Sequence, residues 1–379
     1  MKNEKKKTSQ LVSIAVMLVA GGAIGYLGAQ VGVKAAQQIP GVVMATLVVL
    51  LIPAFLLVIA IHEGGHALAG TRVAFDFRTY VVGPFLWDKQ PDGWKFMWNK
   101  NINTSGGLVI CIPTGTHNLA KRFMIYVAGG PLASLALALV AGIVFMLLRG
   151  VGESVIVQII TYFFSMLAFL SAAIFLITSL PLQAGGFSSD GARVLRLLRG
   201  GDKARFEILM LKMVSSSMAG MRPAQLNKTE LEEASQLGER LQSPMVLYIA
   251  YYLYLSTLDR NQVEEAEQYL QVYINNADDV PEGLRGTVWL EAAFFYALVR
   301  GDLQKAEKYF QLYKPSALTP LAVEYATRAA MAKLKGESAG FSEWILKAKQ
   351  ALPNMMDKGA MLVVQDKLDL LNAEKPVNT

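Results

Sequence analysis

Two histidines and a glutamate lie within five residues of the chain, in the segment His62-Glu63-Gly64-Gly65-His66. On an α-helix, residues four positions apart share a face, so both imidazole rings would point the same way and hold one metal ion. Glu63 follows His62 directly, where its carboxylate would accept a proton from a water molecule. The pattern predicts a zinc-dependent hydrolytic site with His62 and His66 as ligands and Glu63 as the catalytic base.

The motif follows an apolar segment of membrane length. Ionisable groups at membrane depth are costly unless they are paired or bound to metal, so a functional site is the favoured interpretation there. The chain contains four segments long enough to cross about 30 Å of hydrocarbon. These are Leu11–Val33, Gly41–Ile61, Phe123–Leu148 and Val155–Leu182. The fold class predicted is mainly α, a membrane helical bundle of about four spans within residues 1–200.

Basic residues predict the orientation of these spans. Lys5, Lys6 and Lys7 precede the first span, which is too long for the core of a cleavable signal peptide and is expected to remain as a membrane anchor. Counting spans from a cytoplasmic N terminus places His62 and His66 on the cytoplasmic side. We therefore expect a multi-pass protein of the bacterial cytoplasmic membrane, in contact with the lipid bilayer and with both termini in the cytoplasm.

Residues 71–100 differ from the apolar segments around them. Aromatic and β-branched residues precede a turn signal at Gln90-Pro91-Asp92-Gly93, and Trp94, Phe96 and Trp98 then alternate with other residues. Alternation of this kind indicates a β-hairpin, and tryptophan prefers the membrane interface. An interfacial hairpin is expected here, with a further short extended piece at Gly107–Ile112.

A catalytic zinc ion needs a third protein ligand. His117 is one candidate, because it is the remaining histidine of three in the chain. Asp190 is the other, because it follows the fourth predicted span and would reach the same membrane face as His62 and His66. The residues alone leave both candidates open.

Three motifs resemble the site-2 protease family of intramembrane metalloproteases (M50-type). The first is HEGGHALAG, starting at His62; the second is Gly130-Pro131 followed by Ser134, where the family has asparagine; the third is Pro181 with Asp190-Gly191. In the third motif Thr178 replaces the family's asparagine, and Pro181 and Asp190 are about four residues further apart than the family pattern. The resemblance covers roughly residues 40–200.

The resemblance implies a reaction and a substrate class. It implies a zinc metalloendopeptidase with His62, His66 and Asp190 as ligands and Glu63 as the base. Its substrates would be peptide bonds in or near transmembrane segments of membrane proteins, as in regulated intramembrane proteolysis. The helical amides of a transmembrane segment are bonded internally, so the substrate must unwind before cleavage.

Residues 201–379 are charged and amphipathic in the manner of a soluble domain. Residues 265–273 match residues 305–313 at an offset of 40, with Ala, Glu, Tyr, Gln and Tyr in register. Each copy follows an aromatic helix, and a weaker third unit runs from Ala322 to Leu352. The repeat predicts a cytoplasmic α-helical domain of tetratricopeptide-like type, which would offer a surface for a peptide or protein partner.

Composition limits the other functions. The chain is 53% hydrophobic and 17% charged, with a net charge of +6 and one cysteine, Cys111. No intramolecular disulfide can form, and no basic aromatic stripe indicates nucleic acid as a partner. Two alternatives to the protease remain: a catalytically inactive membrane scaffold that binds partners through its helical repeats, and a metal-dependent hydrolase of lipids or small molecules.

Overall fold

The computed structural model describes Gly22 and residues 39–373, apart from residues 91–92, 100–105, 185–186, 244, 281 and 317–318. The chain forms two compact units, Met1–Gly200 and Gly201–Thr379. The first predicted span, Leu11–Val33, lies outside the described residues.

Three long apolar helices form the frame of the first unit: α1 (Gly41–Arg72), α2 (Leu119–Leu148) and α3 (Val155–Ser179). In the described part of the chain, these are the helices long and apolar enough to cross a membrane. Their outward side chains are mostly apolar; Val49 is 74% exposed and Leu147 71% exposed. Outward apolar surfaces of this extent are those of an integral membrane protein.

The helix that carries the histidines continues beyond the predicted apolar span. The span was expected to end at Ile61, with the motif at its boundary, but α1 continues to Arg72. His62 and His66 therefore lie within regular helix, which fixes them on one face. The helix packs against α2 and α3, with Ala54, Val58, Ala141 and Leu167 in the core between them.

A four-stranded antiparallel sheet connects α1 to α2. Its strands are β1 (Phe75–Val82), β2 (Phe85–Gln90), β3 (Gly93–Trp98) and β4 (Leu108–Pro113), in the order β3-β2-β1-β4. The predicted hairpin is thus part of a larger sheet, because the extended piece around Gly107–Ile112 pairs with β1. This pairing was not predicted, since β1 and β4 are separated in the chain by β2 and β3.

The far edge of the sheet carries exposed aromatic side chains. All described side chains of β3 are exposed, with Trp94 at 47%, Phe96 at 50% and Trp98 at 64%. Aromatic side chains of this kind are typical of membrane interfaces. An interfacial position of the sheet stays a prediction.

Arg122, in the first turn of α2, joins the sheet to the helices. Its guanidinium donates hydrogen bonds to the backbone carbonyls of Val73, Ala74 and Thr114 at 2.8 Å each, and it stacks 5.1 Å above the ring of Phe75. Val73 and Ala74 follow the C terminus of α1, where a positive charge is favourable. Arg122 therefore fixes the end of α1 and the strand end at Thr114 to the start of α2.

A short hairpin follows α3 and leads into a fourth helix. Its strands are β5 (Gln183–Ala184) and β6 (Phe187–Ser188), and the helix is α4 (Asp190–Arg199). The hydroxyl of Ser189 accepts a hydrogen bond from the backbone N–H of Ala192 and donates one to the carbonyl of Leu180. This N-cap fixes the start of α4 beside the end of α3.

The second unit is entirely helical in its described residues. Its helices are α5 (Gly201–Met218), α6 (Lys228–Leu241), α7 (Val246–Asp259), α8 (Val263–Asn275), α9 (Glu282–Phe294), α10 (Leu303–Leu312), α11 (Leu321–Leu334), α12 (Ser338–Ala351) and α13 (Lys358–Ala373). A π-helical segment, Phe295–Val299, extends α9, and short 3-10 turns occur at Pro223–Gln225, Ala277–Asp279 and Leu352–Asn354. Together with the first unit, the fold class is confirmed as mainly α with a small antiparallel sheet.

The internal repeat corresponds to helix pairs. Helices α7 and α8, α9 and α10, and α11 and α12 pack against each other in turn. Equivalent repeat positions have equivalent burial: Ala266 and Ala306 are both fully buried, and Tyr273 and Tyr313 are 6% and 7% exposed. The repeated residues are therefore core positions of successive helix pairs. The tetratricopeptide-like class itself stays a prediction.

Candidate metal centre

Glycines bring the backbones of α1 and α2 into contact beside the histidines. A Cβ on Gly65 would lie 2.3 Å from the carbonyl oxygen of Gly129, and a Cβ on Gly129 would lie 2.4 Å from that of Gly65. Any larger residue would push the two helices apart. The helices run in opposite directions, so that His66 faces Gly130 and, one turn away on each helix, His62 faces Ser134.

The structure brings His62, His66 and Asp190 together. Asp190 Oδ2 lies 3.5 Å from His62 Nε2 and 3.4 Å from His66 Nε2. One ligand atom from each residue lies within 4.8 Å of the others, and no other such group of three occurs among the described residues. Tetrahedral zinc with bonds of about 2.0–2.1 Å separates its ligand atoms by about 3.3–3.4 Å. The spacing between Asp190 and the histidines therefore fits zinc.

Both imidazoles are held through the nitrogen that faces away from Asp190. His62 Nδ1 lies 2.9 Å from Ser134 Oγ, and His66 Nδ1 lies 3.0 Å from the carbonyl oxygen of Tyr126. When Nδ1 donates these hydrogen bonds, Nε2 carries the free lone pair, which is the arrangement of metal-bound histidine. Gly130 leaves room for the ring, because a Cβ there would lie 2.2 Å from His66 Nε2.

The β5–β6 hairpin accounts for the long spacing between Pro181 and Asp190. Gln183 pairs with Ser188 and Ala184 with Phe187, so these residues add to the chain length without separating Pro181 from Asp190 by an extended segment. Asp190 consequently begins α4 near the end of α3. A Cβ on Gly191 would lie 1.9 Å from the carbonyl oxygen of Ser179, so glycine is required for this close approach.

Asp190 is a carboxylate at neutral pH. Burial favours its neutral form, but when both imidazoles are protonated, their Nε2–H groups donate hydrogen bonds to Asp190 and their charge attracts it, which lowers the pKa of Asp190 to about 2. A negatively charged oxygen beside two imidazole nitrogens suits a divalent cation.

Glu63 lies against the start of strand β4. Its side chain is buried, and a Cβ on Gly107 would lie 2.5 Å from Glu63 Oε1. Gly107 has a φ of +110°, which also favours glycine. Tyr80 of β1 holds the sheet against α1 by donating a hydrogen bond to the carbonyl of Ala60 at 2.6 Å. Burial and the nearby Glu63 carboxylate raise the pKa of Tyr80 to about 12.

His117, the alternative third ligand, is placed differently. Its Nε2 lies 2.9 Å from the amide nitrogen of Asn118, and its side chain is exposed. It is not a member of the three-residue group. Thr178, which stands at the asparagine position of the third motif, donates its hydroxyl to the carbonyl of Ile174 at 2.9 Å, within its own helix.

The family-model comparison agrees with the class of protein that these features define. The model of Peptidase family M50 matches residues 50–278. The chain belongs to this family, whose members are zinc metalloproteases. Comparisons with curated proteins and with solved structures found no match.

Three contributors to the site were not recognised from the sequence. The carbonyl of Tyr126 had no signal, because any residue type supplies a carbonyl. Gly107 was noted only as part of an extended piece, and Ser134 only as a departure from the family motif. Their contacts depend on how α1 meets α2 and β4, which residue spacing along the chain does not reveal.

Proposed function

We propose that this protein is an intramembrane zinc metalloprotease that hydrolyses peptide bonds in or near transmembrane segments of membrane proteins. The observation that supports the proposal is the group formed by His62, His66 and Asp190, with Glu63 next to His62 on an apolar helix of membrane length. His62, His66 and Asp190 would hold the zinc ion. Bound there, zinc would supply Lewis-acid polarisation of the peptide carbonyl and activation of water.

Glu63 would carry the protons of the reaction. Its carboxylate would accept a proton from the attacking water and deliver it to the nitrogen of the leaving amine. The carboxylate occupies the space beside Gly107 that a side chain would fill, because a Cβ there would lie 2.5 Å from Glu63 Oε1. A fixed general base needs little reorganisation when the substrate binds.

Strand β4 is a suitable docking edge for an unwound substrate. In the described sheet it lies at an edge and pairs with β1 alone, so its other side has no neighbouring strand. It begins immediately after Gly107, the residue against Glu63. A substrate segment added to this edge would extend next to the catalytic carboxylate, and its backbone would gain the hydrogen bonds that unwinding removes.

The remaining parts of the proposal concern the location and the helical unit. We place the protein in a bacterial cytoplasmic membrane with the zinc site toward the cytoplasm, on the basis of the basic residues that flank its spans. The helical unit, residues 201–379, would bind a peptide or protein partner and contribute to substrate choice.

The decisive experiment co-expresses the protein with a panel of single-span membrane proteins. Glu63→Gln removes the base but keeps the size and hydrogen bonding of the side chain. We expect it to abolish a cleavage product that the wild type forms, with zinc content unchanged. Loss of a catalytic acid–base residue costs about 10²–10⁴-fold or more in rate.

His117→Gln is the matched control, since His117 is exposed and outside the three-residue group. It should cleave as the wild type does. Undiminished cleavage by Glu63→Gln would exclude Glu63 as the base. A wild type that binds zinc but cleaves no membrane protein while hydrolysing lipid or a small ester would exclude a protease.

A further inference from the structure

Two buried serines connect a predicted zinc ligand to α3. Ser134 of α2 and Ser171 of α3 are both fully buried. The hydroxyl of Ser134 lies 2.9 Å from His62 Nδ1, and the hydroxyl of Ser171 donates a hydrogen bond to the carbonyl of Ser134 at 2.8 Å. The chain of contacts therefore crosses three helices and ends on His62.

These bonds differ from the usual bonds of hydroxyls in membrane helices. Serine and threonine commonly donate to the carbonyl one turn back in their own helix. Thr161 of α3 does so, with its hydroxyl 2.7 Å from the carbonyl of Val157. Ser134 and Ser171 bond between helices instead, although both could have been satisfied locally. The interhelical direction indicates that their role is to position a neighbour.

The crossing of α1 and α2 explains why Ser134 reaches His62. Gly65 and Gly129 bring the helix backbones together, and Gly130 receives the ring of His66. One helical turn from this contact, back along α1 and forward along α2, the small side chain of Ser134 lies opposite His62. An alanine in place of Ser134 would leave Nδ1 of His62 without this partner, and His62 is only 7% exposed. The hydrogen bond that keeps the ring hydrogen on Nδ1 would then be lost.

We propose that Ser134 is a positioning residue for the metal centre, held in place by Ser171. Its hydroxyl accepts the Nδ1 hydrogen of His62, so that the lone pair of Nε2 is directed at the metal. The inference rests on the proposed function, because it takes His62 to be a zinc ligand. Ser171 fixes the height and rotation of Ser134 from α3, the helix whose end also leads to Asp190.

The test measures zinc binding by the purified full-length protein in detergent, by competition with a chelator of known affinity. Ser134→Ala should weaken zinc binding by about 10–100-fold, the usual effect of removing a hydrogen-bond partner of a metal ligand. Ser171→Ala should weaken it in the same direction and by less. Thr161→Val is the matched control, because it removes a buried hydroxyl of α3 that bonds only within its helix; its zinc affinity should equal that of the wild type.

The visible spectrum of the cobalt-substituted protein gives a second readout that general destabilisation does not mimic. It should change in Ser134→Ala and remain the same in Thr161→Val. Equal zinc affinities and equal cobalt spectra for these two variants would overturn the inference while leaving the proposed function intact. If Ser134→Ala does not yield folded protein, Ser171→Ala with wild-type zinc affinity would overturn it. A wild type that binds no zinc would instead refute the proposed function.

Discussion

Gly130→Ala should remove zinc binding by steric displacement alone. A Cβ at this position would lie 2.2 Å from His66 Nε2, whereas ordinary contacts of a Cβ begin at about 3.4 Å. The imidazole would therefore have to move by about 1.2 Å, the difference between those two distances. Zinc–ligand distances tolerate deviations of only about 0.2 Å. The required shift is about six times larger, so His66 could not remain a ligand.

Gly142→Ala provides the matched control in the same helix. Nothing lies within 4 Å of the Cβ that this substitution adds. Alanine favours helix over glycine by about 1 kcal/mol in both variants, so neither should unfold for lack of helix propensity. Zinc content by elemental analysis and zinc affinity by chelator competition are the assays, with circular dichroism to verify the helices. Gly130→Ala should lower zinc affinity by more than about 100-fold, which is the largest effect expected from removing a hydrogen-bond partner of a metal ligand. Equal zinc affinities in Gly130→Ala and Gly142→Ala would refute the placement of His66.

Three further predictions concern the base, the sheet and the helical unit. Gly107→Ala should reduce cleavage strongly with zinc retained, because its Cβ would lie 2.5 Å from Glu63 Oε1; cleavage at the wild-type rate would contradict this contact. Arg122→Lys should lower the free energy of unfolding by about 2–3 kcal/mol, because an ammonium group cannot reproduce the guanidinium's several bonds to backbone carbonyls. An unchanged midpoint of thermal unfolding in detergent would contradict it. Burial raises the pKa of Glu291 from 4.5 to about 7, so the folded state binds its proton more tightly than the unfolded state. The free energy of unfolding should therefore fall by about 3 kcal/mol as the pH rises from about 4.5 through 7. Glu291→Gln should remove most of this fall in chemical denaturation of the full-length protein, and an identical pH dependence in the variant would contradict it.

Local patterns were sufficient to predict the helices and the identity of the candidate ligands. The apolar runs predicted α1, α2 and α3 because a helix across a membrane needs a long uncharged segment. The HExxH spacing predicted a shared helix face for His62 and His66, and the resemblance to the family indicated Asp190. These predictions depend on residues that are close in sequence or on the motif of a known family.

Contacts between distant segments could not be predicted in this way. Two examples are the pairing of β4 with β1 and the contact of Ser134 with His62. Each depends on the register between two elements, and a one-residue shift in that register would remove it. The apolar span was predicted over Gly41–Ile61, with the motif following on a helix. In the structure, one helix carries both and continues to Arg72.

The most direct test of zinc binding by His62, His66 and Asp190 is zinc-edge anomalous diffraction from crystals of the full-length protein grown with zinc. We expect one principal peak about 2.0–2.2 Å from His62 Nε2, His66 Nε2 and a carboxylate oxygen of Asp190. A principal peak at His117, or the absence of any peak beside His62 and His66, would contradict it.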